Sequence, residues 1–186
     1  MVELAQLMAP LEDSMWDGGN ITLEPIMEAH RQGLRAICDP ADPVWAIFPA
    51  NWSGENFDRS FDEMLANEGR HCFTILVNGT EVGTTSLINL KLAQQALEIG
   101  GTYLAISTRG TGLNSRVKRL LLDRIFGCGI RRVEFRVDER NARSQAAVLK
   151  LGCTKEGVLR AERVTWTGHV RNTVIFSILA HEWKQP

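Results

Sequence analysis

Phenolic groups are scarce in this chain: of its 186 residues, only Tyr103 is a tyrosine. The four cysteines, Cys38, Cys72, Cys128 and Cys153, are scattered, with no Cys-x-x-Cys pair. None has a histidine at zinc-ligand spacing, so reduced thiols and no metal are expected. His30, His71, His169 and His181 likewise show no metal spacing. No apolar run approaches the length of a membrane span, and the N-terminus lacks the basic-then-apolar pattern of a signal peptide. A cytoplasmic protein with no membrane partner is therefore expected. Net charge is only −1 with a pI near 6.4, and no basic stripe is interleaved with aromatics. Nucleic acid is not an expected partner. A Gly-Lys-Ser/Thr ending occurs nowhere, which excludes a P-loop.

What is present reads as one globular domain, long enough to bury a full core without metals or disulfides. Residues 1–19 have no clear period and form a poorly defined N-terminal extension; the domain proper is expected over 20–182. The small net charge conceals a segregation. Residues 1–70 carry 13 acids against 4 Lys and Arg, and the rest of the chain 9 against 17. A basic C-terminal part suits a phosphorylated ligand, and an acidic N-terminal part suits a cationic one; a plainly solvated surface accounts for both equally well.

The most informative stretch is Leu104-Ala105-Ile106-Ser107-Thr108-Arg109-Gly110-Thr111-Gly112-Leu113-Asn114-Ser115. A β-rich strand delivers the chain to two glycines that open onto a helix. Such a turn exposes consecutive N–H groups at the positive end of a helix dipole, a site for a pyrophosphate. A dinucleotide-binding reading finds two of its glycines in Gly110 and Gly112, Ser115 in place of the third, and Glu134 at ribose distance. However, the loop comes after a hundred residues, with only about seventy following, and that fold normally begins with it.

The remaining elements follow from pattern. Strand Ile21 to Ile26 precedes a helix over Met27 to Ile37. An irregular aromatic segment holds Trp45, Phe48 and Trp52, and Ser53 is read as the N-cap of a helix through Leu65. Asn78-Gly79 joins strands Cys72–Val77 and Val82–Leu90 as a hairpin. Ala96 to Ile106 is a strand leading to the loop. The helix from Gly112 presents Leu113, Val117, Leu120, Leu121 and Ile125 on one apolar face, with Arg116, Lys118 and Arg119 read as a wet face in preference to a phosphate clamp. Strand Arg132–Val137 follows. Asn141 caps a helix ended by Gly152, and strands Thr154–Arg160 and Val170–Leu179 flank a turn at Thr167-Gly168.

Arg109-Gly110-Thr111-Gly112-Leu113-Asn114 resembles the Arg/Gln-x-x-Gly-x-Gly/Ala pyrophosphate loop of the Gcn5-related N-acetyltransferases (GNAT), with Asn114 for the final small residue. About thirty residues on, Val137-Asp138-Glu139-Arg140-Asn141-Ala142-Arg143-Ser144 and Leu151-Gly152 resemble that superfamily's second signature. The likeness is closest to the branch that acetylates the N-terminal alanine or serine of ribosomal proteins. It implies an α/β fold: a single domain with a mixed, mostly antiparallel sheet, splayed middle strands and flanking helices. Acetyl-CoA, the co-substrate, would lie in the V-shaped gap between those strands.

On that reading the backbone amides of Arg109, Gly110, Thr111, Gly112, Leu113 and Asn114 take the pyrophosphate, and the Arg109 side chain adds a charged contact. The strand edge near Ile106 pairs with the pantetheine arm, and Asn141 caps its helix and touches CoA. Glu98 is the candidate base: alternation puts Leu97 and Ile99 on one face and Glu98 on the other. Related enzymes often use a glutamate on this strand, frequently through a water. An ion-paired strand carboxylate is the competing account. The family's usual tyrosine acid is replaced by Val148, so Ser144 becomes the candidate for quieting the thiolate. Trp45, Phe48 and Trp52 fall where an acceptor-side lid would lie, and pinning that segment to the core explains them as well.

The expected activity is direct acetyl transfer to a primary amine, a protein N-terminus or a small amine. No Cys–His pair points to a covalent intermediate. A non-catalytic acyl-CoA-binding regulatory module of the same fold is the alternative, and a homodimer is compatible with the sequence.

Overall fold

The computed structural model describes residues 2–183. Eight strands form one sheet. They are β1 (Leu11–Asp13), β2 (Ile21–Pro25), β3 (Arg70–Val77), β4 (Thr80–Lys91), β5 (Ala96–Leu104), β6 (Arg132–Asp138), β7 (Thr154–Val164) and β8 (Val170–Leu179), in spatial order β1-β2-β3-β4-β5-β6-β8-β7. Helices α1 (Leu4–Met8), α2 (Arg31–Ile37), α3 (Phe57–Leu65), α4 (Leu113–Gly127) and α5 (Ala142–Lys150) flank it. Every pairing is antiparallel except β5 with β6. That parallel pairing spans only Ala96–Glu98 against Arg132–Glu134, after which the two strands separate.

The buried side chains form two clusters. One joins α4 and α5, through Leu113, Val117, Leu121, Ile125 and Val148, to Leu97 and Ile99 of β5 and Val133, Phe135 and Val137 of β6. The other packs α2, α3 and the aromatic segment (Leu34, Trp45, Phe48, Trp52, Phe57, Phe61) against Cys72 and Tyr103. Helix α4 belongs to the first cluster because its apolar residues recur every three or four positions along one stripe.

β5 changes face partway. Leu97 and Ile99 belong to the first cluster, yet Tyr103, an even number of residues on, belongs to the second. The register with β4 slips between Thr84 and Ser86, opposite Gly101 at φ +56°. This β-bulge reverses the alternation and aims Tyr103 away from α4.

Several expected boundaries move. β5 ends at Leu104, because Ala105 N–H donates to Val82 and the chain then turns through a short 3₁₀ segment, Ile106–Thr108. Ser53 makes no side-chain cap: it precedes a 3₁₀ turn, Gly54–Asn56, and α3 starts at Phe57. Residues 1–19, without a period of their own, hold α1 and β1, and β1 extends the sheet on β2. The hairpin matches its sequence signal, with Asn78 at φ +51° and Gly79 at φ +78°.

Candidate active site

The separation of β5 and β6 opens a cleft of about 550 Å³. Ile99–Leu104 form one wall and Phe135–Asp138 the other, with α5 contributing Ser144 and Val148. Past Glu98, β5 has no strand partner on its β6 side, so backbone N–H and C=O groups along that edge are open to a peptide-like ligand.

The glycine loop lies at one end of this edge. Gly110 and Gly112 have φ of +82° and +90°, a region that penalises any Cβ, and a Cβ at either would meet no protein atom within 4 Å. No side chain caps α4. The N–H groups of Gly110, Thr111, Gly112 and Asn114 have no hydrogen-bond acceptor among the described residues, and that of Leu113 has only the Thr111 hydroxyl at 3.4 Å. The loop is thus a set of unpaired donors at the positive end of a fifteen-residue helix, suited to an anion with several oxygens.

Arg109 departs from expectation. Its backbone N–H donates to Ile106, and its side chain folds away from the loop. Nε donates to Leu104 O at 2.9 Å and Nη1 to Asp42 Oδ1 at 3.0 Å, with the guanidinium 5.4 Å from the Tyr103 ring centre. The arginine ties the end of β5 to the aromatic segment instead of reaching outward, because Asp42, wholly buried, offers it a carboxylate. Ile106 also differs: it is 52% exposed in the turn after β5, and the free strand edge ends two residues before it.

Glu98 is the last residue of β5 paired to β6, and the cleft wall begins at the next residue. Its carboxylate accepts from Asn89 Nδ2 at 2.9 Å and lies 4.0 Å from Arg136 Nε. A Cβ on Gly100, which does line the cleft, would be 3.0 Å from Glu98 Oε1, so the carboxylate rests against the cleft's boundary. Burial pushes its pKa up, opposed by Asn89 and Arg136. The shift moves a carboxylate toward the range in which it accepts a proton near neutral pH.

On the opposite wall, Asn141 Oδ1 accepts the Ser144 N–H at 2.9 Å, the expected cap. Both residues line the cleft. The Ser144 hydroxyl has no partner among the described residues and lies in the first turn of α5. Val148, one turn on, is buried and offers no proton.

Among the cleft residues that the sequence did not point to, Tyr103 and Lys118 stand out by their chemistry. Tyr103 lines the cleft through the bulge, and its hydroxyl donates to Ile37 O at 2.7 Å. Burial pushes its pKa far up, so the phenol is a committed donor and not a free acid. Lys118, read as a wet residue, is buried instead and lines the cleft. The available signal was its place four residues before Leu122 and four after Asn114. Arg116, by contrast, donates to Asp13 at 2.8 Å, and Arg119 lies over Trp183.

The aromatic segment is pinned from both sides. Trp45 stacks on Tyr103 at 4.8 Å, and its carbonyl accepts from Trp166 Nε1 at 3.0 Å in the turn between β7 and β8. Trp45 and Trp52 are buried, and of the three anticipated lid residues only Phe48 reaches the cleft. Asp138, which also lines the cleft, is held by Arg140 at 2.8 Å and Arg171 at 3.9 Å. Among the described residues no group of three His, Cys, Asp or Glu side chains could hold a metal, and no helix is long and apolar enough to cross a membrane.

Residues 20–154 match the family model of the acetyltransferase (GNAT) domain. A solved structure assigned to the acetyltransferases is 34% identical, with TM-score 0.80 over 88% of this chain and 84% of that one. Another, from T. thermophilus, is 33% identical, with TM-score 0.79 over 90% of each chain. Mycobacterium smegmatis RimJ, solved in complex with CoA-disulfide, shares 22% identity and the fold, with TM-score 0.73 over 95% of this chain and 88% of that one. No curated protein matches the chain.

Proposed function

This chain belongs to the GNAT acetyltransferases, and from that premise we propose that it moves the acetyl group of acetyl-CoA directly to a primary amine. The observation that carries this reading is the set of four unpaired N–H groups at Gly110, Thr111, Gly112 and Asn114, the last of them lining the cleft that the unpaired edge of β5 bounds. A pyrophosphate at the loop leaves the pantetheine arm to run along Gly101–Leu104, pairing as a strand would. The RimJ complex supports CoA as the ligand.

The chemistry asks for little beyond positioning, since CoA brings an activated acyl group. The acceptor ammonium must lose a proton, and the leaving thiolate must be quieted. Glu98 serves as base through a water held at Gly100, because its carboxylate stops at the cleft boundary. Ser144 faces the thiolate from the opposite wall, where the N-terminus of α5 also favours negative charge. The acceptor is a protein N-terminus or a small amine entering beside Phe48 and Asp138.

A non-catalytic acyl-CoA-binding module is favoured by one observation: neither Val148 nor the committed Tyr103 hydroxyl can donate a proton in the cleft. One experiment separates the two readings. Free CoA thiol is followed with acetyl-CoA over a panel of N-terminal peptides, polyamines and amino acids. Amine-dependent release supports the enzyme; CoA binding without release on any amine supports the module.

A further inference from the structure

Lys118 carries an amine that no acid among the described residues pairs with. It stands one helical turn beyond Asn114 on α4, 6% exposed, and its ammonium donates to Thr85 Oγ1 at 2.9 Å and Thr102 Oγ1 at 2.6 Å. Those hydroxyls lie 2.9 Å from each other, closing a small polar cluster at the bulge of β5. Among the described residues no carboxylate compensates the ammonium, and burial alone pushes its pKa down to about 7.

An ammonium has three N–H donors. Two are committed to threonines, and the third has no acceptor among the described residues, although the side chain lines the cleft. Burying a cation without a counter-ion opposes folding. An apolar residue would suit this stripe of α4 better, next to Leu121 and Leu122. Folding therefore does not account for a lysine here, and a ligand in the cleft does.

We propose that Lys118 is a positioning residue of the cofactor cleft, donating its third N–H to a carbonyl oxygen of the acyl-pantetheine arm. This rests on the CoA reading above. With a pyrophosphate on the Gly110–Asn114 amides, an arm running along Gly101–Leu104 passes the Lys118–Thr102 pair. That arm is uncharged and rich in carbonyl oxygens, the acceptors a lone ammonium needs. A charge-assisted hydrogen bond out of water is stronger than a neutral one, so it would set how deeply the thioester enters between β5 and β6. The threonines aim the lysine without neutralising it, which a carboxylate partner would do.

The test compares CoA with its nucleotide half, 3′-phospho-ADP, which has the pyrophosphate but no arm. Both are titrated calorimetrically at about pH 6, where the ammonium keeps its proton, into wild type and Lys118→Met, a side chain of similar reach without the donor. CoA affinity should fall about ten- to a hundredfold, the range for one hydrogen bond to a charged group, while 3′-phospho-ADP binds as before. In turnover, KM for acetyl-CoA should rise more than kcat falls. Unchanged CoA binding, or equal loss of both ligands, overturns the proposal. Wild type that binds neither ligand removes the CoA reading itself, which is a different failure. If Lys118→Met does not fold, Lys118→Leu, which also lacks a donor, supplies the same comparison.

Discussion

Arg109 and Asp42, 67 residues apart, form a bidentate ion pair: Nη1 lies 3.0 Å from Oδ1 while Nη2 contacts Oδ2, and the carboxylate is wholly buried. The pair joins the strand that feeds the glycine loop to the aromatic segment that lines the cleft. An arginine whose local sequence points to a phosphate serves as a strut.

Removing one member of that pair strands the other. Asp42→Asn should cost about 3–5 kcal/mol in a denaturant titration, the usual penalty for breaking a buried pair from one side. The pH dependence has a definite sign. Burial alone would raise the Asp42 carboxyl, but the bonds from Arg109 and Val44 N–H outweigh it and hold the pKa below the usual value. The pair's contribution is therefore full above the unfolded carboxylate's pKa near 3.8 and is lost as pH falls through the lower folded value. Asp42→Asn should flatten that acid limb; an unchanged limb would show that other carboxylates set it.

Gly112→Val tests the loop. Its open surroundings let the chain fold, at a cost of about 1–2 kcal/mol for the left-handed backbone. At a hundredfold excess of acetyl-CoA over Kd, wild type should gain about 2.7 kcal/mol and melt correspondingly higher. The variant should show no shift, since its side chain fills the approach to the amides. A full shift in folded Gly112→Val would rule out these amides as the anion site.

Glu98→Gln keeps the hydrogen bond from Asn89 but cannot accept a proton. Turnover should fall about 10²–10⁴-fold with CoA affinity unchanged. A base must be deprotonated, so wild-type kcat/KM should decline toward acid with a midpoint above the ordinary glutamate value, following the upward push of burial. That limb should vanish in the variant. A rate within a fewfold of wild type would leave Glu98 as a strand carboxylate only.

Ser144→Ala should lower kcat by about one to two decades while barely changing CoA affinity, if one transition-state hydrogen bond is lost. Val148→Tyr in that background restores the family's usual proton donor in the cleft wall and should recover part of the rate. Weaker CoA binding with kcat intact would make the hydroxyl a cofactor contact instead.

Lys118→Met should also change stability with pH. Below about pH 7 folded and unfolded chains both hold the lysine's proton, and the cost of burying the charge is felt in full. Between there and the unfolded value of 10.5 only the unfolded chain binds it, so wild-type stability rises with pH. The variant lacks this term. Its advantage over wild type should be largest near about pH 6 and shrink toward about pH 9; a constant difference in melting temperature would contradict the burial of the cation.

By itself the sequence determined what depends on neighbours within a few residues. Asn78-Gly79 makes its turn, Gly110 and Gly112 take left-handed backbone, Asn141 caps α5, and Glu98 lies opposite Leu97 and Ile99, because each conformation follows from the side chain at that position. Together these located the glycine loop, the cleft walls and the α/β architecture. Only the tertiary structure decided where the long polar side chains end. Arg109 meets Asp42 across 67 residues, and Lys118 finds Thr85 33 residues away. Tyr103 enters the cleft because a bulge in a strand pair reverses its face, and β1 acquires a role by pairing with β2. A flexible side chain has many reachable partners in an unfolded chain. Which one it takes is set by the electrostatics and burial of a site that exists only after distant strands have paired.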